Sequence, residues 1–418
     1  MAKTRKKNQE RKIILSTRTF VEFSLYVYIT YIMLPFVSAV LPSSIRTMVL
    51  LYIMGSTLVF TTFANMKRMG HIMALHVTAI LMITIGYFGK NVSSYAGYIT
   101  YFTNRYMFWG ALVYAYTIQS WENHRKKRMA RFLILLISVT MVTTFIGNLV
   151  YPEASRILAD ISRDNSVLYL THNIGPYGFI YGLVVILPFL IWMSKQKKRY
   201  LLLVILVFAV LFVAQYSLAI LIAVAALIIM LLVPDGKPIK VVGAVSLLLL
   251  AFALFTPLLD AILIRTRELF ESMGLTVLSN RFTSVSDLLV DNNLTGGALT
   301  RTELYMKSLN AWVQSPVIGN LFSGYARTLG GHSEILDLLG SGGLVGMLIF
   351  IISMMPHIRR LKSGKETKLS IYKRYSFIIF LVIALLNPVF VSGMISIPAF
   401  LLPELLDMKN EELPPVSS

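Results

Sequence analysis

Apolar runs of about twenty residues recur along this 418-residue chain, and that is the length an α-helix needs to cross a bilayer. They fall near 20–41, 45–65, 71–88, 105–121, 132–150, 174–193, 200–215, 217–233, 241–259, 334–355, 375–391 and 392–406. Backbone N–H and C=O groups in hydrocarbon must satisfy one another, and helices do so within a single segment. Only 14% of residues are charged and 56% are hydrophobic, whereas soluble domains are about a quarter charged. The fold expected is therefore all-α and polytopic, with about 12 transmembrane helices.

The side each loop faces follows from Lys and Arg, which concentrate in cytoplasmic loops. The pair of runs between Arg199 and Pro234 could be two short helices or one long tilted one. Two helices place residues 1–19, Lys67–Arg68, Arg125–Arg131, Lys195–Arg199, Lys237–Lys240, Arg359–Arg374 and the tail on one side. Those segments hold 28 of the 39 basic residues. One helix would instead turn the Arg359–Arg374 cluster outward, against the charge rule. Two helices and cytoplasmic termini are thus expected. The run from Phe20 is long and ends in no small-residue cleavage site, so it reads as a retained first span. The net charge of +19 does not point to nucleic acid, because the basic residues lie between apolar runs. Without cysteine, disulfides and thiolate catalysis are excluded.

This layout divides the chain into a nine-span bundle (1–259), a large extracytoplasmic loop (260–333), three C-terminal spans (334–406) and a tail (407–418). A shorter outer loop lies at 151–173. The large loop carries six basic and six acidic residues, and five of the six cations are Arg. Arg presents a planar fork that pairs with phosphate oxygens two at a time. Headgroup anchoring, or i,i+4 pairing such as Arg267 with Glu271, would use the same residues. A structureless loop of that length is unusual, and helices are predicted inside it. Residues 260–273 continue the preceding span. Thr300-x-x-Glu303 fits a capping box, starting a helix that runs from Arg301 to about Gln314, before Pro316. Arg301, Tyr305, Ser308 and Trp312 share one face of it. Its amphipathic pattern suits the membrane interface.

His332 follows Gly330-Gly331 and precedes Ser333-Glu334. A neutral imidazole at that outer mouth can take a proton from a hydroxyl, while the glycines let backbone approach a bulky ligand. An interfacial histidine with its tip among headgroups is the plainer alternative. The run Gly340-x-Gly342-Gly343-x-x-Gly346 lies in an apolar helix with no preceding strand, so it reads as close helix packing, not a phosphate loop. No Asp-x-Asp occurs, and no His/Asp/Glu cluster has metal-ligand spacing, so no metal or other cofactor is expected.

The ordered set Arg301-x-x-x-Tyr305-x-x-Ser308, Ser315-Pro316-x-x-Gly319, Gly330-Gly331-His332-Ser333, Leu336-Asp337 and Gly343-x-x-Gly346 resembles the O-antigen ligase/polymerase superfamily. The Gly-Gly-His-Ser-x-x-Leu-Asp form is most similar to Wzy-type polymerases of O-antigen, capsule or exopolysaccharide. Arg281-Phe282 fits a recurring position of the same loop. The resemblance spans about 65 residues. One departure stands out: where the family often has Ser-Arg at the outer ends of the two short middle helices, this chain has Gln215-Tyr216-Ser217-Leu218.

The resemblance implies a membrane-embedded glycosyltransferase of the bacterial cytoplasmic membrane, joining undecaprenyl-pyrophosphate-linked oligosaccharide repeat units on the outer face. It implies His332 as base or acceptor-orienting group and Arg301, Arg281 and Arg163 as pyrophosphate contacts. Arg265, Arg267 and Arg327 stand behind them, and Tyr305, Gly331, Ser333 and Glu334 position the substrate. Several arginines can stabilise charge developing on the leaving pyrophosphate without a metal. The partners implied are a lipid-linked donor and acceptor, the bilayer itself and a chain-length regulator protein. An O-antigen ligase, using the same donor with a lipid A-core acceptor, is the nearest alternative. A lipid-linked glycan transporter or flippase is one from another class. Coupled transporters keep ionisable groups near mid-membrane, and the spans read as nearly free of them, with Glu22 and Arg105 near span ends.

Overall fold

A computed structural model describes residues 19–60, 69–88, 95–158, 166–235, 237, 239–241, 243–244, 256–274, 279–280, 296–320, 329–363, 368–390 and 392–407. Every regular element among them is helical. In chain order these are α1 (Thr19–Met33), α2 (Pro35–Val40), α3 (Ser43–Gly55), α4 (Met69–Phe88), α5 (Tyr95–Thr117) and α6 (Asn123–Val150). There follow α7 (Ala154–Ile157), α8 (Ser166–Thr171), α9 (Tyr177–Gln196), α10 (Arg199–Val213), α11 (Ser217–Leu232), α12 (Thr256–Ser272), α13 (Gly296–Gln314), α14 (Glu334–Ser363), α15 (Lys368–Leu386) and α16 (Gly393–Leu406). Among the described residues, four helices are long and apolar enough to cross a membrane: Asn123–Val150, Tyr177–Gln196, Glu334–Leu361 and Lys368–Leu386. Six shorter apolar helices accompany them.

The centre of the bundle is α9, buried on every side from Gly178 to Leu190. Lipid tails are as apolar as leucine, so helices in a bilayer associate through close packing, and small residues allow backbones to meet. Gly178-x-x-x-Gly182 does this. A Cβ on Gly178 would fall 2.0 Å from Ser392 Oγ, and one on Gly182 would fall 2.6 Å from the Met394 carbonyl oxygen. Around this seam Phe108, Phe380, Phe390 and Phe400 interlock with ring centroids 4.7–6.1 Å apart.

Residues 199–232 form two helices, as charge parity expected. The chain turns at Ala214–Tyr216, with Gln215 in the left-handed region at φ +56°. Both open ends of this hairpin return to one end of the bundle: Tyr375 donates to the Val233 carbonyl, and Lys195 lies 5.7 Å from the Tyr372 ring. The closed tip meets α7 at the other end, where Tyr216 donates to the Ser155 carbonyl at 2.9 Å.

Several boundaries differ from the sequence reading. The helix predicted from Arg301 begins at Gly296, so Thr300 lies inside it and not at its N-cap position. Its end at Gln314 and the helix over 260–273 agree with expectation. The runs 375–391 and 392–406 are separated by a break that is non-helical at 387–390 and 392, where Pro388 supplies no N–H. The run 334–355 is two helices joined at Gly343, whose φ of +58° and ψ of −153° only glycine adopts readily. The ninth run, 241–259, and the tail from 408 lie largely or wholly outside the described residues.

Candidate active site

The quoted motif pieces, scattered through the sequence, meet at one end of the bundle. Ser308 on α13 donates to Asp337 Oδ1 on α14 at 2.6 Å. The Gly330 N–H donates to Ser308 Oγ at 3.0 Å, and the Gly331 N–H to Asp337 Oδ1 at 3.1 Å. Gly330 must lack a side chain, because a Cβ would fall 2.0 Å from the Leu304 carbonyl oxygen. Ser333 then caps α14 by accepting the Leu336 N–H at 3.2 Å. His332 rides on this pinned loop and is exposed.

Asn387, at the break after α15, is the pivot beside that loop. Its carbonyl accepts the Glu334 N–H at 3.2 Å. Its side-chain oxygen accepts Arg301 Nη1 at 3.4 Å, and Arg301 reaches the Leu386 carbonyl at the same distance. Tyr305, one turn along α13, donates to that carbonyl at 2.8 Å. The polar face of α13 is thus docked on the end of α15.

Glu334 has a different place from the one the sequence suggested. Its Oε1 accepts Arg105 Nη1 at 2.9 Å, and its Oε2 accepts the N–H groups of Val389 and Phe390, both at 3.0 Å. Arg105 and Glu334 are 5% and 6% exposed, so the carboxylate is occupied by protein donors. It holds the break in place instead of facing a substrate. At the opposite end, Glu404 is buried against Arg360, and His357 is buried beside Phe377 and Phe400.

Next to Asn387 lies a group of tyrosines. The Tyr177 and Tyr181 rings are 4.8 Å apart, and Tyr216 is 6.3 Å from the first and 5.9 Å from the second. Tyr181 interacts with Asn387 and Arg301. Burial pushes the Tyr216 hydroxyl above its ordinary pKa, so it stays protonated and able to donate. Arg156 from α7 reaches into this group. Its Nη1 donates to the Gln215 carbonyl at 3.2 Å, and its guanidinium lies 5.8 Å from the Tyr216 ring centroid. The Gln215–Tyr216 turn therefore has an arginine packed on it from another loop. Arg105 and Glu334 neutralise each other, and no ion pair joins Arg156 or Arg301 to a carboxylate among the described residues. The cluster is accordingly cationic.

Of the other expected phosphate contacts, Arg163, Arg281 and Arg327 lie outside the described residues. Arg265 is exposed on α12, with Arg267 partly buried two residues on. Their helix leans on the hairpin through Phe270 and Phe212, 5.3 Å apart. The sequence reading did not select Arg105, Tyr177, Tyr181, Gln215, Tyr216 or Asn387, and it passed over Arg156. Two signals were available: the polar Gln-Tyr-Ser between apolar runs, and Asn387-Pro388 inside one. No family model, no curated protein and no solved structure matches this chain.

Proposed function

We propose that the chain is a polysaccharide polymerase that joins polyprenyl-pyrophosphate-linked repeat units, and that it crosses the membrane twelve times with both termini cytoplasmic. The observation that carries the reading is the pair of guanidiniums, Arg301 and Arg156, gathered in a tyrosine-lined cluster beside the His332 loop. A diphosphate leaving group needs cations aimed at the charge it develops, and fixed guanidiniums supply this in a partly dry site. An attacking hydroxyl needs one base, and His332 is the exposed imidazole on the loop pinned to α13. The order and spacing of the resembling motif support the same reaction class. The donor is the lipid-linked glycan, and lipid pyrophosphate departs as the acceptor oxygen bonds to the anomeric carbon, its proton passing to His332.

Deleting the gene and restoring it with His332→Ala or Arg301→Ala tests this. Each variant should accumulate at normal abundance and make no long polymer. Long polymer from both would overturn the site. Single-repeat products in the deletion strain indicate a polymerase, whereas normal ladders unattached to core indicate a ligase.

A further inference from the structure

Two buried polar atoms in the tyrosine cluster have no hydrogen-bond partner, the Tyr177 hydroxyl and Gln215 Oε1, while the Asn387 amide beside them is shared with Tyr181. Buried polar groups are nearly always paired, so two exceptions in one place require an explanation. They do share one place. Tyr177 stacks near Tyr181 and Tyr216, Gln215 adjoins Tyr216 in the chain, and Asn387 interacts with Tyr181. Gln215 and Asn387 are 2% and 1% exposed. Gln215 also holds a left-handed backbone at φ +56°, uncommon for any residue but glycine, with its carbonyl fixed by Arg156.

The chemistry of the set narrows the ligand. A phenol both donates and accepts, and an amide oxygen accepts. An anion without a proton to donate would leave Gln215 Oε1 unmet, and a lipid tail would answer neither group. Hydroxyl groups of a sugar ring answer both, because each can donate and accept. Arg156 and Arg301 flank the set and supply what a phosphate on that ring would need.

We propose that this cluster is a glycosyl-phosphate subsite in which Tyr177 and Gln215 read the hydroxyls of the sugar next to the phosphate. The assignment rests on taking this end of the bundle as the substrate site, and it adds residues that decide which sugar is accepted. Sites built to hydrogen-bond a hydroxyl discriminate strongly, because loss of either partner strands the other.

The test uses the full-length protein in detergent micelles and follows thermal unfolding with a panel of hexose 1-phosphates. Inorganic phosphate and the free hexoses form the other arms. At least one hexose 1-phosphate should half-saturate the wild type about tenfold below phosphate or its free hexose, as one added buried hydrogen bond would give. Tyr177→Phe and Gln215→Asn should each lose that preference and keep the response to phosphate. Asn is chosen at 215 because it tolerates the left-handed backbone. Arg156→Ala and Arg301→Ala should lose the phosphate response. A wild type with no preference across the panel at saturating concentration would overturn the proposal. So would a preference unchanged in both Tyr177→Phe and Gln215→Asn, leaving water as the partner of these atoms. Discrimination by a protein that makes no polymer in cells would remove the polymerase reading and leave the subsite standing. Polymerisation by a wild type whose sugar preference ignores both variants would do the reverse.

Discussion

Arg105 and Glu334 meet across 229 positions of sequence, and neither would be tolerated alone at such burial. Removing one partner of a buried pair strands the other charge and costs about 3–5 kcal/mol. Arg105→Ala should therefore lower the unfolding temperature sharply, and Glu334→Gln less, since an amide oxygen still accepts one of the three donors. Arg128→Ala, whose guanidinium on Glu22 is 60% exposed, should change it little. Equal melting of Arg105→Ala and the wild type would refute the role. This pair also marks how far sequence could be read at the level of single residues. His332, Arg301, Ser308 and Asp337 were legible because order and spacing within one stretch carry them. Arg105, Arg156 and Asn387 were not, because each finds its partner on a distant helix.

Elements were easier to read in kind than in continuity. Apolar runs located α9, charge parity resolved the α10–α11 pair and Pro316 marked the end of α13, but hydropathy is blind to breaks that are capped from elsewhere. The break in α14 shows why. Its freed donors are met by the Pro316 turn: the Leu344 N–H donates to the Pro316 carbonyl at 2.9 Å and the Val345 N–H to the Val317 carbonyl at 3.0 Å. Asn320 donates back to the Gly340 carbonyl at 3.0 Å. Both Gly343 and Gly319 have positive φ, and a Cβ on either would fall within 2.6 Å of the other's backbone segment. The glycine run is thus partly the packing that sequence suggested, with Gly342 and Gly346 against Ile85, and partly an interlock between two backbone breaks. Gly343→Ala should cost at least about 1–3 kcal/mol from backbone strain alone, and the overlap adds to it. Gly70→Ala, with nothing within 4 Å of its Cβ, is the matched control. A Gly343→Ala protein that unfolds with the control would show that the break is not needed.

At the scale of the whole molecule, the α10–α11 hairpin decides which way everything after it faces. The two helices have 15 and 16 residues, about 22–24 Å at 1.5 Å per residue, short of the usual hydrocarbon thickness of about 30 Å. Short spans are accommodated by local thinning of the bilayer or by flanking polar groups reaching the interface. A hairpin leaves Lys237 on the same side as His124, and Thr302 on the opposite side. A single crossing through 199–233 would exchange Lys237 and Thr302. Because the chain contains no cysteine, each position can be tested by one added thiol without background. His124→Cys, Lys237→Cys and Thr302→Cys all replace exposed residues. In spheroplasts treated with a membrane-impermeant maleimide, Thr302→Cys should label at once, and the other two only after the membrane is permeabilised. Labelling of Lys237→Cys in sealed spheroplasts, with Thr302→Cys protected, would invert the second half of the chain. The Arg301 cluster would then face the cytoplasm, where no substrate presented on the outer leaflet could reach it.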